Sequence, residues 1–186
     1  MEKKKHRKYT VSDFSQNKDG AIQKFLHHAF NHMQASVALR KHPTLLDSSA
    51  YMCNLAFELL FKSMLLSQSN EYMATHSIVA LNNKLSKKII AKNDLSLIKV
   101  IDKYNLIRYP IDNNLHKSQP MLKLGHHKFY VDEIGTIELE KAENLFEKLW
   151  CKLQRLKEYK PLINDILKNP HKKGNRVLMN KRRDRS

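Results

Sequence analysis

The stretch from Thr44 to about Gln68 is apolar on nearly every side when it is read as a helix. A helix without a wide polar face has to be surrounded by other helices, so this stretch predicts the central helix of a bundle. Two charged residues interrupt it, Glu58 and Lys62, and they stand four positions apart in the order that favours pairing. We expect this ion pair to be tolerated at the edge of the core.

The neighbouring stretch from about Lys18 to Lys41 repeats apolar residues every three or four positions, which is typical of an amphipathic helix. Pro43 disfavours helical geometry at the residue before it and should end this helix. Thr44 and Asp47 have the spacing of a capping box, so they predict the start of the central helix.

Helical periodicity returns further along the chain, and only 4 Gly and 5 Pro are present, which disfavours an all-β fold. Asp94 predicts an N-cap, and Pro161 should kink or end the last long helix. The fold class predicted is all-α, an up-and-down bundle of four to five helices with a long irregular or short-hairpin insertion before the last long helix. The later helices are expected at His76–Leu85, Asp94–Ile107 and Thr136–Leu156, with a final turn or two to Leu167 and the insertion at Ile111–Gly135.

The formal net charge of +16 lies mostly at the two ends of the chain. Residues 1–8 contribute +4 and residues 168–186 contribute +7, which leaves +5 for residues 9–167. We expect a basic N-terminal arm (1–15), one helical domain (16–167) and a disordered basic tail (168–186). Basic arms of this kind favour a polyanionic partner, above all nucleic acid. The alternative is a general lysine bias, since 26 of the 34 basic residues are Lys.

Two cysteines are too few for a secreted disulfide framework or a structural zinc site. The N-terminal residues lack the apolar segment of a signal peptide, and no apolar run is long enough to span a bilayer. We therefore expect a cytoplasmic protein with no membrane association.

Three motifs occur in order along the body: LAFELLFKSMLL (55–66), the Thr75–His76 step and YNLIRYP (104–110). Together, over about residues 20–160, they resemble the HEPN superfamily of small helical bundles. The resemblance implies an up-and-down bundle. It also implies one of two functions, because the superfamily contains metal-independent ribonucleases of toxin and defence systems as well as members that only bind nucleotides or protein partners.

The nuclease members carry an Arg and a His separated by four to six residues. The nearest equivalent here is Arg108 and His116, with seven residues between them and Pro110 inside the interval. In this interpretation His116 moves the proton of the 2′-hydroxyl and Arg108 neutralises the charge that develops on phosphorus. The other candidate residues, expected to orient this pair or to contact the ligand, are Tyr109, Asp112, Asn113, Asn114, His76, Glu58 and Lys62.

The resemblance further implies a homodimer, RNA or a nucleotide as ligand, and a protein partner such as an antitoxin; no metal or cofactor is expected. The structural alternative makes Arg108 a helix-terminal cation or a partner of Glu58, and His116 an exposed loop residue. His28 and His32 have the spacing of a zinc-binding helix, but the absence of an obvious third ligand favours a solvated helix edge.

Overall fold

The computed structural model describes residues 8–10, 18–87, 89–105 and 136–168. The predicted all-α class is confirmed, and the described part contains six α-helices and one short antiparallel ribbon. The predicted insertion at 111–135 lies outside it. The helices are α1 (Lys18–Leu39), α2 (Leu46–Ser69), α3 (Ile78–Lys84), α4 (Leu95–Lys103), α5 (Thr136–Arg155) and α6 (Lys160–Lys168), and the strands are β1 (Lys8–Thr10) and β2 (Glu71–Met73).

Helix α2 is the buried centre of the bundle, as its apolar surface predicts, with Phe57, Leu60 and Phe61 fully buried. Helix α1 packs along it in the opposite direction. Ser36 and Ser49 mark their close approach, because each hydroxyl donates to the other residue's backbone carbonyl at 2.8 Å. Small side chains that bond the facing backbone allow two helices to pack this closely without leaving polar groups unsatisfied.

The connection between α1 and α2 differs from the predicted capping box. A turn of 3₁₀-helix at Pro43–Leu45 leads directly into α2, and no side chain caps either element. The prediction that Thr44 caps α2 is therefore wrong. Pro43 occupies the first turn, where its missing N–H has no cost, and the tight turn continues into the helix.

Helix α5 packs against α1 and α2 through aromatic rings. Trp150 lies 5.3 Å from Phe30 and 5.8 Å from Phe146 between ring centroids, and Phe146 meets Phe57 edge-on at 5.6 Å. Near the start of α5, Arg40 donates to Glu140 at 2.7 Å and to Glu143 at 2.9 Å. The last long helix ends at Arg155, before Pro161 is reached, and Pro161 lies in the first turn of the separate short helix α6 and not at the end of α5.

The short helices α3 and α4 are joined by one carboxylate. Asp102 of α4 accepts a hydrogen bond from the Ser77 hydroxyl at 3.0 Å and another from the backbone N–H of Ile78. Ser77 also caps α3 by accepting from the N–H of Ala80, so this helix begins two residues later than predicted. Asp94 stands at the N-cap position of α4 as predicted, although its side chain makes no capping hydrogen bond.

Among the described residues, no helix has both the length and the apolar character needed to cross a membrane.

Candidate functional site

The two charges of α2 form an ion pair inside the bundle. Lys62 Nζ lies 2.6 Å from Glu58 Oε1, and each side chain is only 4% exposed. The predicted pairing is present, but it is more deeply buried than a position at the edge of the core. Removing one member of such a pair leaves an uncompensated buried charge, which typically costs about 3–5 kcal/mol.

His76 connects this buried pair with the protein surface. Its Nδ1 atom lies 3.1 Å from Glu58 Oε2 and 3.3 Å from Oε1, and 46% of its side chain is exposed. An ionised carboxylate accepts hydrogen bonds only, so Nδ1 is the donor and carries the proton. Glu58 thus orients an exposed imidazole in the way a carboxylate orients the histidine of a catalytic dyad.

The backbone around His76 is held by its neighbours. Thr75 is buried, and its hydroxyl accepts a hydrogen bond from the N–H of Ser77 at 3.2 Å. Ser77 is itself fixed by Asp102, so α4 helps to set where His76 stands. The sequence contained no signal for this role of Asp102, because the two residues are 25 positions apart.

Tyr72 of β2 completes the site on the side of Lys62. Lys62 Nζ donates to the Tyr72 hydroxyl at 3.3 Å and lies 5.0 Å from the centre of the ring. This ring also stacks in parallel with Phe25 of α1, with the centroids 5.9 Å apart. We call Glu58, Lys62, Tyr72 and His76 the polar cluster.

Helix α1 adds histidines beside the polar cluster. The rings of His28 and His32 are 6.4 Å apart. Burial lowers the pKa of His32, the charge of His28 lowers it further, and Glu58 opposes both effects. His28 is exposed, as predicted for a solvated edge, but His32 is half-buried. No group of three or more side chains suited to a metal ion occurs in the part of the chain that the structure describes.

The remaining predicted site residues fall outside the described residues, which end at Asn105 after α4 and resume at Thr136. The structure therefore brings together three of the predicted residues, Glu58, Lys62 and His76, and adds Tyr72 to them. Those outside the described residues are Arg108, Tyr109, Asp112, Asn113, Asn114 and His116.

In the comparison with known families, the family model described as "HEPN domain" matches residues 22–148. This range contains α2, α3 and α4 in full and most of α1 and α5, and it ends before α6. It also contains the polar cluster. No significant match is found among curated proteins or among solved structures.

Proposed function

The chain belongs to the HEPN domain family, and on that premise we propose that it binds RNA at the polar cluster and cleaves it without a metal ion. The observation that carries this proposal is the exposed imidazole of His76, held by a carboxylate that is itself buried against Lys62. A pre-oriented histidine at the surface can donate to a phosphate oxygen or to a base edge with little loss of side-chain freedom.

Tyr72 supports the same proposal. Its hydroxyl accepts a hydrogen bond from Lys62, which also pairs with Glu58. Aromatic rings next to polar groups are common platforms for unstacked bases. The excess of positive charge at both ends of the chain would attract the RNA backbone to this face by counterion release.

The cleavage step is assigned to Arg108 and His116. His116 takes the proton of a 2′-hydroxyl, whose oxygen attacks the adjacent phosphorus; the bond to the 5′-oxygen breaks, and that oxygen receives a proton. Arg108 neutralises the added negative charge on the phosphate during the attack. The products are a 2′,3′-cyclic phosphate and a 5′-hydroxyl end. In this proposal two subunits of a homodimer each present one such pair, and an antitoxin-like protein partner restrains the activity.

The second candidate function is a non-catalytic nucleotide-binding or protein-interaction module of the same fold. The interval between Arg108 and His116 favours it, since seven residues separate them and Pro110 lies between. In that case RNA or nucleotide is bound at the polar cluster and released unchanged.

One experiment separates the two candidates. End-labelled single-stranded RNA is incubated with the pure protein in EDTA, alongside Arg108→Ala, His116→Ala and His76→Ala variants. His42→Ala is the matched control, because His42 is an exposed histidine outside the polar cluster. For a nuclease, we expect cyclic-phosphate products that disappear in the first two variants. We expect His76→Ala to weaken RNA binding by about tenfold, the loss of one or two hydrogen bonds.

The outcomes that count against each candidate are distinct. RNA that stays intact with wild-type protein rules out cleavage, and binding that is lost in His76→Ala then favours the non-catalytic module. Equal RNA affinity of His76→Ala and His42→Ala would remove the polar cluster from both candidates.

A further inference from the structure

A cavity of about 440 Å³ opens at the corner between α5 and α6, away from the polar cluster, and it is lined by Cys151, Gln154, Arg155 and Lys160. Its size is within the range of ordinary ligand sites. The described residues that line it are all polar or ionisable, and no acidic residue is among them.

The two cations of this corner pocket have no acidic partner among the residues that the structure describes. Arg155 and Lys160 form no ion pair within the described ranges, although both are exposed and only five positions apart. Elsewhere in the bundle the partly buried Arg40 has two glutamates. Two like charges that share one cavity repel each other, and an anion between them would convert that repulsion into attraction.

The walls of the pocket are braced. Gln154 of α5 donates to Asn164 of α6 at 3.3 Å, and Asp165 of α6 accepts from Gln23 of α1. Ile163 and the ring of Tyr159 are buried beneath the corner. A cavity between two helices fixed in this way is pre-formed, so an anion would bind without first having to order its walls.

The pocket lies at the end of the bundle where α2 finishes. Tyr159, in the turn between α5 and α6, lies near Ser67 of α2, and Lys18 donates to the Ser67 carbonyl at 3.3 Å. Ser67 is five residues beyond Lys62 on the same helix, a rise of about 7.5 Å. Along the axis of α2, the polar cluster is therefore close to this end of the molecule, although it lies on another face of the bundle.

We infer that the corner pocket binds phosphate groups of the RNA backbone and acts as a second anchor beside the polar cluster. The inference rests on the proposed RNA binding. Free phosphates have the same chemistry as backbone phosphates, so the test must separate these two sources.

Cys151 provides a local reporter of occupancy, because it lines the pocket and is half-buried. The other cysteine, Cys53, is 1% exposed, and burial raises the pKa of its thiol, so it should react far more slowly. The rate of iodoacetamide alkylation at Cys151, followed by peptide mass spectrometry, is measured for the full chain alone, with a single-stranded RNA and with inorganic pyrophosphate. RNA is expected to slow this alkylation about fivefold or more.

RNA affinity is measured in parallel for Arg155→Gln/Lys160→Gln and for a control, Lys92→Gln/Lys99→Gln, which removes two exposed lysines from other parts of the bundle. The pocket variant should bind RNA about tenfold more weakly than the control and lower the salt slope by about 1.4, the value for two single-strand phosphate contacts.

Each other result overturns the inference. If the two variants bind RNA equally and RNA leaves Cys151 unprotected, the corner pocket is not an RNA contact, while the proposed function stands. Protection by pyrophosphate but not by RNA assigns the pocket to free phosphates instead. A wild-type protein that binds no RNA removes both the inference and the proposed function.

Discussion

At the scale of single residues, the polar cluster combines groups that are costly to bury separately. Glu58 and Lys62 are withdrawn from water, and each is compensated by the other and by one further partner, His76 or Tyr72. A buried ion pair adds little to stability compared with apolar residues of the same size. Its main effect here is orientation, because the Glu58 carboxylate accepts the hydrogen bond from His76 Nδ1–H.

We predict that Lys62→Met destabilises the protein by about 3–5 kcal/mol, because Glu58 is then left buried without its cation. The double variant Glu58→Gln/Lys62→Met, which removes both charges, should recover most of this loss. Urea unfolding followed by circular dichroism measures both values. A double variant as unstable as Lys62→Met would show that packing around residue 62, and not the unpaired charge, causes the loss.

At the scale of elements, the sequence predicts the long helices well because their signals are local. The apolar surface of α2 and the three-to-four spacing in α1 and α5 each lie within one segment. The Glu58–Lys62 contact was predictable for the same reason, as the two residues are one helical turn apart.

The features that could not be predicted depend on contacts between distant segments. His76 meets Glu58 from 18 positions away, and Ser77 starts α3 because Asp102 accepts its hydrogen bond from α4. Tyr72 reaches Lys62 from β2, which exists only through pairing with β1. Single-residue patterns carry no information about such pairings, so Tyr72 was missed.

Helix α6 is held to the bundle partly by a buried phenol. Tyr159 is 2% exposed, and burial, the main cause, raises its pKa from 10.0 to about 12. At a pH between these two values, the Tyr159 hydroxyl keeps its proton in the folded state but has lost it in the unfolded chain. Stability is therefore lost as pH rises from 10 towards 12.

We predict that wild type loses about 1.4 kcal/mol of unfolding free energy from this group by pH 11. The free energy of unfolding of wild type, relative to that of Tyr159→Phe, should fall by that amount between pH 9 and pH 11. Urea unfolding at each pH measures it, with Tyr51→Phe as a control for removal of a less buried phenol. A difference that is constant with pH would contradict the assignment.

At the scale of the whole molecule, most of the net charge lies outside the helices and strands that the structure describes. Residues 1–7 and 169–186, outside the described helices and strands, carry +9 of the net +16. Charge at the ends of a chain acts on association rates and on salt dependence, and hardly at all on which fold forms. The polar cluster and the corner pocket would then determine where RNA binds. The charged ends of the chain would determine how strongly RNA is attracted.

We predict that a chain without residues 1–7 and 169–186 binds RNA at least tenfold more weakly at about 0.1 M salt and with a smaller salt slope. Its helical content should be unchanged. Fluorescence anisotropy from 50 to 300 mM salt measures the affinity, and a full-length chain with the same Lys and Arg residues replaced by Gln controls for length. Affinity and slope equal to wild type would assign all RNA contacts to the bundle.

Trp150 is the only tryptophan of the chain, and it is enclosed by Phe30 of α1 and Phe146 of its own helix. Intrinsic fluorescence excited at the red edge of protein absorption therefore has a single origin, the seam between α1 and α5. Emission from a ring that is 6% exposed lies to the blue of emission from a hydrated indole. The fluorescence of Trp150 therefore reports, without an added label, whether α5 is packed against α1.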